Sequence, residues 1–446
     1  MAPNPSVMKA VEALDYRVTP GDVASQAGLN VRLAERELVA LASDAGGHLQ
    51  VAESGEIAYL FPKNFRGVLQ SKYRRLQLQA AWEKVWNALF YLIRISFGIF
   101  LILSIVIILV AITALIVVLN SQQGDRDNDN GFGGGMIFMP RFWFGPDIFW
   151  IFYPDYYDRR RYRSYRQGGR RSGRRADDAQ NRMNFLEAVF SFLFGDGNPN
   201  ADLEERRWQA IATIIRSNGG AVAAEQVAPY LDNIDPNSWD EEDYMLPVLT
   251  RFNGRPEVSD SGQIIYHFPE LQITASEGRN RSIPDYLHET PWPFSEAGSN
   301  QLTLAGGLGI ANIVGAIVLG GLLRQVAADP TLQLGAFLNF VSGAYGFLLV
   351  YAIAFLTVPL LRWLWLRRHN RRLEARNQER QTRVAVLDNP TPELQHKIGY
   401  ARQFAATTVV SAEDLAYTTE SSLLDQEAAQ SDRIDEEWRR RIEQSR

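Results

Sequence analysis

The side chains that most often carry catalysis or bind metals are scarce in this chain and poorly spaced. The 446 residues include no cysteine, which excludes disulfides, thiolate metal sites and cysteine nucleophiles. The five histidines lack the spacing of metal ligands, and no Ser/His/Asp set or Gly-rich phosphate loop can be assembled from neighbouring residues. We therefore predict a protein that is not an enzyme and that binds no metal or cofactor.

One acidic stretch has the alternating oxygen ligands of a calcium loop. In DGNPNADLEE, residues 196–205, Asp and Asn alternate. The sixth position is Ala201 instead of glycine and the twelfth is Arg207 instead of glutamate, so the stretch lacks two features that such a loop requires. We interpret it as a turn that precedes a helix.

Two groups of charged residues are candidates for binding a protein partner. The first is the acidic run in SWDEEDYM, and the second is a pair of arginines on a predicted helix near the N-terminus. We predict partner binding by Asp240, Glu241, Glu242, Asp243, Arg32 and Arg36.

An arginine-rich run is a candidate for binding lipid. Nine arginines and no acidic residue lie between residues 159 and 175. Basic runs beside a membrane bind anionic lipid headgroups or nucleic acid, and we favour lipid here. The predicted lipid-binding residues are Arg159, Arg160, Arg161, Arg163, Arg166, Arg170, Arg171, Arg174 and Arg175.

Three apolar runs are long enough to cross a membrane, at residues 95–119, 302–324 and 334–361. The first has 25 residues without a charge, about 38 Å of helix. A buried helix of a soluble protein is the alternative, but such a length without charge is rare in globular cores. No signal peptide is predicted, so membrane insertion depends on these internal segments.

A fourth, aromatic segment at residues 136–156 is interrupted by prolines and charges. It is a broken crossing, a re-entrant pair or an interfacial belt. Basic residues precede the first apolar run and follow the last one, which predicts an integral protein of a plasma, inner or thylakoid-type membrane with both termini cytosolic. That topology needs an even number of crossings, so we favour a return crossing at 136–156.

A ten-residue signature occurs twice, as SGEIAYLFPK at residues 54–63 and as SGQIIYHFPE at residues 261–270. Apolar residues alternate in both copies, which predicts a half-buried strand with Ile57, Tyr59 and Phe61, or their counterparts, on the buried face. Ser-Gly after another short apolar segment predicts a β-hairpin.

Each hairpin ends a segment that reads as helix, helix, helix, hairpin, at residues 1–66 and within residues 184–300, where an amphipathic helix comes first. This order resembles a winged helix-turn-helix domain. The predicted fold class is therefore mixed: an α-helical membrane protein with two duplicated winged helix-turn-helix (α+β) soluble modules.

The charge of these segments argues against nucleic acid as a partner. Residues 1–65 hold five basic and eight acidic residues, and residues 202–271 hold five and thirteen, giving nets of −3 and −8. A surface that binds phosphate needs the opposite sign. Protein interaction is the favoured function, and a membrane-tethered transcription regulator is the alternative.

The second and third apolar runs contain small residues at four-residue spacing, such as Ala305 and Gly309, which permits close helix packing within the chain or in a homo-oligomer. Asn312 and Asn339 are the strongly polar residues well inside these runs. A transport component is a further alternative, although an ion relay would need ionisable groups there.

Four connecting segments complete the predicted organisation. They are a basic amphipathic linker helix at 67–94, an acidic Gly-rich loop at 120–135, an Arg-rich linker at 157–183 and a charged helical C-terminal tail at 362–446.

Together with the two modules, the segments MPRFWFGPDIFWIFYP and FLEAVFSFLFGDGNPN resemble a family of multi-spanning membrane proteins in cyanobacteria and chloroplast envelopes. The resemblance implies membrane location. Plant members of that family carry a loose label of iron-sulfur cluster biosynthesis, and a chain without cysteine could serve that process only indirectly. The expected function is a membrane-anchored interaction scaffold or assembly factor.

Overall fold

The computed structural model is mostly helical with three small sheets, and it divides into two compact units. The module unit comprises residues 1–82, 199–291 and 372–446, and the apolar-helix unit comprises residues 83–198 and 292–371. The structure describes residues 3–72, 74–121, 183–232, 234, 241–276, 284–329, 332, 334–411, 415–428, 431, 438–439 and 442.

The first module is residues 5–60, and its helices begin and end at recognisable capping residues. Thr19 and Asp22 form a capping box around the second helix, which starts at Pro20 and ends at Gly28 in the left-handed conformation. The three strands pair antiparallel in the order β1-β3-β2, with Val18 opposite Tyr59. The elements are α1 (Pro5–Ala13), β1 (Arg17–Val18), α2 (Pro20–Ala27), α3 (Val31–Ala45), β2 (His48–Ala52) and β3 (Ile57–Leu60).

Two helices follow the first module, α4 (Phe65–Lys72) and α5 (Arg74–Ser121). A linker helix at 67–94 and a separate apolar span at 95–119 were predicted, whereas α5 is one helix of 48 residues. The reason is local, because no glycine or proline occurs between Arg74 and Gly98 to end the helix. The next described helix is α6 (Phe185–Phe194).

The second module, residues 203–275, begins with the same order of elements and the same strand pairing as the first. Its strands pair antiparallel in the order β4-β6-β5, and Val222 lies opposite Tyr266 as Val18 lies opposite Tyr59. A short helix and strand follow. The elements are α7 (Leu203–Ser217), β4 (Ala221–Val222), α8 (Ala224–Val227), α9 (Leu246–Phe252), β5 (Arg255–Val258), β6 (Ile264–His267), α10 (Pro269–Gln272) and β7 (Ile273–Thr274), with 3-10 turns at Ala228–Tyr230 and Asp243–Met245.

The last part of the chain contains two long apolar helices, α11 (Ser299–Ala327) and α12 (Ala336–Asp388). With α5 they are the three described helices long and apolar enough to cross a membrane, which confirms the three predicted apolar spans. The aromatic segment 136–156 lies outside the described residues.

The chain beyond α12 differs from the predicted helical tail. The helix α13 (Pro392–Ala401) is followed by two strands, β8 (Thr408–Val409) and β9 (Leu415–Thr418). Strand β8 pairs with β7, and β9 pairs with β2 of the first module. Tyr417 and Thr418 have high strand propensity, a signal that the charged residues around LAYT obscure. We call residues 392–411 and 415–418 the C-terminal segment.

The core of the apolar-helix unit joins α6 to the long helices. Phe185 and Val189 of α6 are buried with Leu101, Ala305 and Phe355. This amphipathic helix was predicted to belong with the second module. Its Phe-rich face packs in the apolar-helix unit instead, because the long helices there supply a matching apolar surface.

The small residues of α11 allow close packing within this chain. A Cβ added at Gly309 would lie 2.6 Å from the Phe355 ring, and one at Gly320 would lie 2.0 Å from the Tyr345 hydroxyl. Both contacts are intramolecular, so the small-residue spacing of α11 is explained without a second copy of the chain.

Substituting Gly98 with valine is expected to displace α6 from α5. A Cβ at Gly98 would lie 2.8 Å from the Cα of Leu186, a backbone atom that cannot move alone. We expect a loss of about 1–3 kcal/mol, typical of overpacking, and faster hydrogen exchange across Phe185–Phe194. Gly343→Val is the matched control, since a Cβ there meets nothing within 4 Å. Unchanged exchange in Gly98→Val would contradict the described packing.

The strands of the repeated signature are buried differently from the predicted alternation. Tyr59 and Phe61 are buried as predicted, but Ile57 is exposed and its neighbour Ala58 is fully buried. Ile264 and Ile265 repeat this pattern in the second module. The C-terminal segment explains the burial of Ala58 and Ile265, because it covers the sheet faces that the alternation leaves to solvent.

Candidate functional site

The joint between the two modules is centred on Asp22, at the start of α2. One carboxylate oxygen accepts hydrogen bonds from the Arg216 guanidinium at 2.6 Å and from the Thr274 hydroxyl at 3.0 Å. The other accepts from the Ala275 N–H at 2.8 Å and the Thr19 N–H at 3.0 Å. Asp22 is 5% exposed, and three of its four hydrogen bonds join α2 to the second module, while the fourth caps α2 itself.

The turn between α2 and α3 forms a second part of the joint. Arg251 of α9 donates from Nε to the Gly28 carbonyl oxygen at 2.8 Å, and its guanidinium lies 4.3 Å from the centre of the Trp208 ring. A Cβ at Gly28 would lie 3.0 Å from the Cβ of Trp208, and φ there is +62°, so glycine suits both the turn and the contact. The Asn30 amide also donates to the Thr250 carbonyl at 2.9 Å.

Both modules therefore share one hydrophobic core. Buried residues of α1, α2 and α3, such as Val23 and Leu38, belong to the same cluster as Ile211, Val248 and Phe268 of the second module. A continuous core makes the two modules one body, because neither can move without exposing apolar surface.

The C-terminal segment covers the sheet of the second module. Ala401 of α13 is buried with Ala221 and Ile265. The Lys397 ammonium contacts the carboxylates of Glu225, at 2.9 Å, and Glu242. These three charged side chains are largely withdrawn from solvent, so the contact fixes α13 on the sheet.

The Tyr266 hydroxyl is the second donor to Glu242, at 2.8 Å. Burial and the hydrogen bond to the Glu242 carboxylate raise the pKa of Tyr266, so its hydroxyl stays protonated and continues to donate. Tyr266 belongs to the repeated signature, which therefore contributes a contact to the C-terminal segment as well as a strand.

The same segment continues onto the first module. Arg17 of β1 donates to the carbonyl oxygens of Ala275, at 2.6 Å, and Val410, at 2.7 Å. Its Nε donates to Gln50 Oε1 at 2.8 Å. One arginine thus joins the first module, the end of the second module and the C-terminal segment. Strand β9 then adds a fourth strand beside β2.

A buried arginine cluster fixes the end of α12 in the module unit. Arg380 is 1% exposed, and its guanidinium contacts Asp232, with Nε at 3.0 Å, and Glu289 at 2.7 Å. It also donates to the Leu287 carbonyl at 2.7 Å. Arg207 adds a second cation to Asp232, so each carboxylate of the cluster has more than one arginine partner.

This cluster predicts an acid-sensitive contact. Burial acts to raise the pKa of Glu289, but the hydrogen bonds from Arg376 and Arg380 outweigh it and hold the pKa below its usual value of 4.5. The folded state therefore gains stability from this carboxylate above pH 4.5, and that stability is lost as the pH falls through the lower folded pKa.

We expect acid to release residues 376–388 of α12 as the pH falls below 4.5, measured as a loss of protection from hydrogen exchange relative to the intrinsic rate at each pH. The variant Glu289→Gln should lose this component of the pH dependence, and Glu374→Gln, exposed on the same helix, should keep it. An identical acid profile in wild type and Glu289→Gln would contradict the assignment.

The predicted partner-binding residues are distributed over different environments. Arg32 donates to Asn253 Oδ1 at 3.3 Å, and Arg36 is exposed beside Glu37 at 3.9 Å. Glu241 and Asp243 are exposed, whereas Glu242 is 9% exposed and bound inside the chain. Glu242 therefore differs from its two exposed neighbours, because Lys397 and Tyr266 bind its carboxylate inside the chain.

The contacts described here do not test the other predicted binding residues. Asp240 lies outside the described residues, as do the nine arginines between 159 and 175. Partner binding by all six residues stays a prediction: Arg32, Arg36, Asp240, Glu241, Glu242 and Asp243.

The structure also places the two asparagines of the apolar runs. Ser104 of α5 donates to Asn312 Oδ1 at 2.7 Å, and both residues are buried. Asn339 is exposed near the start of α12 and donates to the Leu334 carbonyl oxygen at 3.0 Å. The two amides are thus engaged in separate contacts.

The acidic and histidine side chains of the described residues are dispersed instead of grouped. No group of three His, Asp or Glu side chains that could hold a metal ion occurs in this part of the chain. Asp196, from the calcium-like stretch, pairs instead with Arg94 at 2.5 Å and accepts from the Glu296 N–H at 2.8 Å.

Sequence reasoning missed the side chains that join the modules. Asp22 carried a signal, because TPGD has the form of a capping box, but a cap predicts none of its partners in the second module. Arg380 and Lys397 lie in charged helical sequence that is typical of a solvated face.

One relative of known sequence covers nearly the whole chain. An uncharacterised chloroplastic protein of Arabidopsis thaliana is 38% identical over 451 residues, which span 98% of this chain and 82% of the Arabidopsis protein. No family model matches the chain, and no solved structure is similar to it.

Proposed function

This chain belongs to the family of the chloroplastic Arabidopsis protein, and from that premise we propose that it is a membrane-associated, non-catalytic scaffold or assembly factor. The observation that carries the proposal is the single body formed by the two modules and the C-terminal segment. Its buried charged residues, including Asp22, Arg380 and Lys397, are used to join parts of the chain. A rigid surface of this kind suits protein recognition, because little conformational entropy is lost on binding.

We interpret the two modules as duplicated winged helix-turn-helix domains. The shared element order, the equivalent strand orders and the repeated signature support this interpretation. In nucleic-acid-binding winged helices the third helix enters a groove. Here the start of α3 contacts α9 through Asn30 and Arg32, which favours a protein-binding use of the fold.

The modules should also lie on one side of the membrane, since they share a core. That arrangement needs an even number of crossings between them, and α5 supplies one. We propose that both modules and the C-terminal segment face the cytosol or stroma.

Because the chain has no cysteine, single cysteines can test this topology. The variants Ser6→Cys, Ser121→Cys, Ser261→Cys and Ser431→Cys are treated in intact cells with a membrane-impermeant maleimide. We expect labelling of Ser121→Cys alone. Labelling of either Ser6→Cys or Ser261→Cys without the other would place the modules on opposite sides of the membrane. It would refute the proposal that the two modules form one folded body.

The surface best suited to a partner combines exposed acidic and apolar residues at the start of α9. Glu241 and Asp243 are exposed, and Leu246 and Pro247 follow them on the surface. Exposed leucine flanked by carboxylates favours a basic, amphipathic segment of another protein, since complementary charge directs encounter and apolar contact holds it.

Cross-linking in cells tests the proposal. Partners captured by the full chain should be lost in Glu241→Lys/Asp243→Lys. They should be retained in Glu53→Lys/Glu56→Lys, which reverses the same number of charges in the first hairpin. The scaffold proposal fails if no protein is captured, or if both double variants behave alike.

A further inference from the structure

The exposed side chains of α12 change from apolar to aromatic to cationic over residues 360–371, near the end of its apolar part. Leu360 and Leu361 are exposed apolar residues, and Trp363 and Trp365 follow, each about half exposed. The next exposed side chains are arginines. They are Arg367, Arg368 and Arg371. The order apolar, aromatic, cationic is that of hydrocarbon, interface and headgroup in one bilayer leaflet.

The spacing along the helix agrees with the thickness of a leaflet's polar layer. From Leu361 to Arg367 the helix rises about 9 Å at 1.5 Å per residue. The headgroup and interfacial region is roughly 5–8 Å thick on each side of the hydrocarbon core. When Leu361 lies at the edge of the hydrocarbon, the Cα of Arg367 lies just beyond this layer. Its guanidinium reaches back to the depth of the lipid phosphates, because side chains of a helix lean toward the helix N-terminus.

Aromatic contacts fix this part of α12. Trp365 stacks on His369 with ring centres 4.9 Å apart, and Trp292 packs edge-on against both rings. The Asn370 amide group also bonds the backbone of Trp292, accepting from its N–H at 3.0 Å and donating to its carbonyl at 2.9 Å. The helix face that carries the arginines is thus held in one orientation.

Among the described residues, no carboxylate neutralises the three arginines. Arg362, one turn earlier, donates to the carbonyl oxygens of Ser191 and Phe192 inside the apolar-helix unit. By contrast, Arg367, Arg368 and Arg371 form no ion pair with a carboxylate among the described residues. The helix has no acidic residue before Glu374. Arg367 lies 5.6 Å from the centre of the Trp363 ring, which orders its guanidinium at the surface.

We propose that Arg367, Arg368 and Arg371, with Trp363, form a binding site for the phosphate headgroup of an anionic phospholipid. The guanidinium groups supply paired donors to phosphate oxygens, and the indole occupies the adjacent interface. This site is separate from the arginine run at 159–175. It rests on α12 crossing a bilayer, and it is independent of partner binding by the modules.

Thermal unfolding of the full chain in neutral detergent tests the site, with phosphatidylglycerol or phosphatidylcholine added at equal concentration. We expect phosphatidylglycerol to raise the unfolding temperature more than phosphatidylcholine does. In Arg367→Gln/Arg368→Gln/Arg371→Gln at least half of that difference should be lost. The triple lysine variant should keep most of it, and Arg32→Gln/Arg36→Gln should keep all of it.

Two results would overturn the site. One is a wild-type protein that responds equally to both lipids. The other is a glutamine triple variant that retains the full phosphatidylglycerol response, which would assign anionic lipid to another part of the chain. If the triple variant does not fold, Arg371→Gln alone is measured, and an unchanged response in that variant also counts against the site.

Discussion

Replacing Asp22 with alanine is expected to lower the free energy of unfolding of the module unit by about 3–5 kcal/mol. The substitution leaves the N–H groups of Thr19 and Ala275 without their acceptor in a buried site, and each unpaired donor costs about 1–3 kcal/mol. It also removes the anion that faces Arg216, whose side chain is 23% exposed and therefore regains only part of its hydration.

This loss is measurable as a lower midpoint of thermal unfolding, at about 2–4 °C per kcal/mol for a domain of this size. Hydrogen exchange should accelerate in α2 and at residues 273–275 in particular. The conservative variant Asp22→Asn keeps one acceptor oxygen and should lose less. Glu35→Ala, exposed on α3 of the same module, should change the midpoint little. Equal effects of Asp22→Ala and Glu35→Ala would show that the joint contributes nothing.

Replacing Arg380 with methionine should cost about 3 kcal/mol, at the lower end of the range for breaking a buried ion pair. Methionine fills much of the same volume but leaves the Leu287 carbonyl oxygen without this donor. The cost stays at the lower end because Arg207 still pairs with Asp232 and Arg376 with Glu289.

Hydrogen exchange across residues 376–388 and 284–291 reports on this cluster directly. Arg372→Met is the matched control, because that arginine is exposed on the same helix. The double variant Arg380→Met/Glu289→Gln should cost less than the sum of the two single variants, since they share one interaction. Strict additivity would contradict the contact.

The elements that the sequence predicted well are those determined by interactions between residues close together in the chain. The uncharged run at 95–119 has one stable solution in a folded chain of this composition, a long apolar helix, and α5 contains it. Thr19, Pro20 and Gly28 mark the two ends of α2 because caps and turns depend on neighbouring residues.

The elements that the sequence did not predict depend on distant parts of the chain. Ile265 reads as solvent-facing in its strand, but it is buried because Ala401 lies over it, more than 130 residues later. Glu242 reads as a surface carboxylate until Lys397 is placed beside it. Sequence periodicity reports burial against the local sheet or helix, and it carries no information on a segment that covers the opposite face.

A buried joint made of charged residues also has a consequence for specificity. Apolar contacts alone allow two modules to pack in many relative orientations. The ion pair between Asp22 and Arg216 forms in only one of them. We therefore expect the relative position of the two modules to be well defined, which is what a scaffold surface composed from both would need.

The most direct test of whether the two modules form one folded body is cross-linking of two cysteines introduced on either side of their interface. Asn30→Cys and Thr250→Cys are combined, since the Asn30 amide contacts the Thr250 carbonyl oxygen, and native membranes are treated with a short bis-maleimide. Rapid linkage within one chain that disappears in denaturant, and falls in Asp22→Ala, is the predicted result. Linkage no faster in native membranes than in denaturant would show that the two modules are separate bodies.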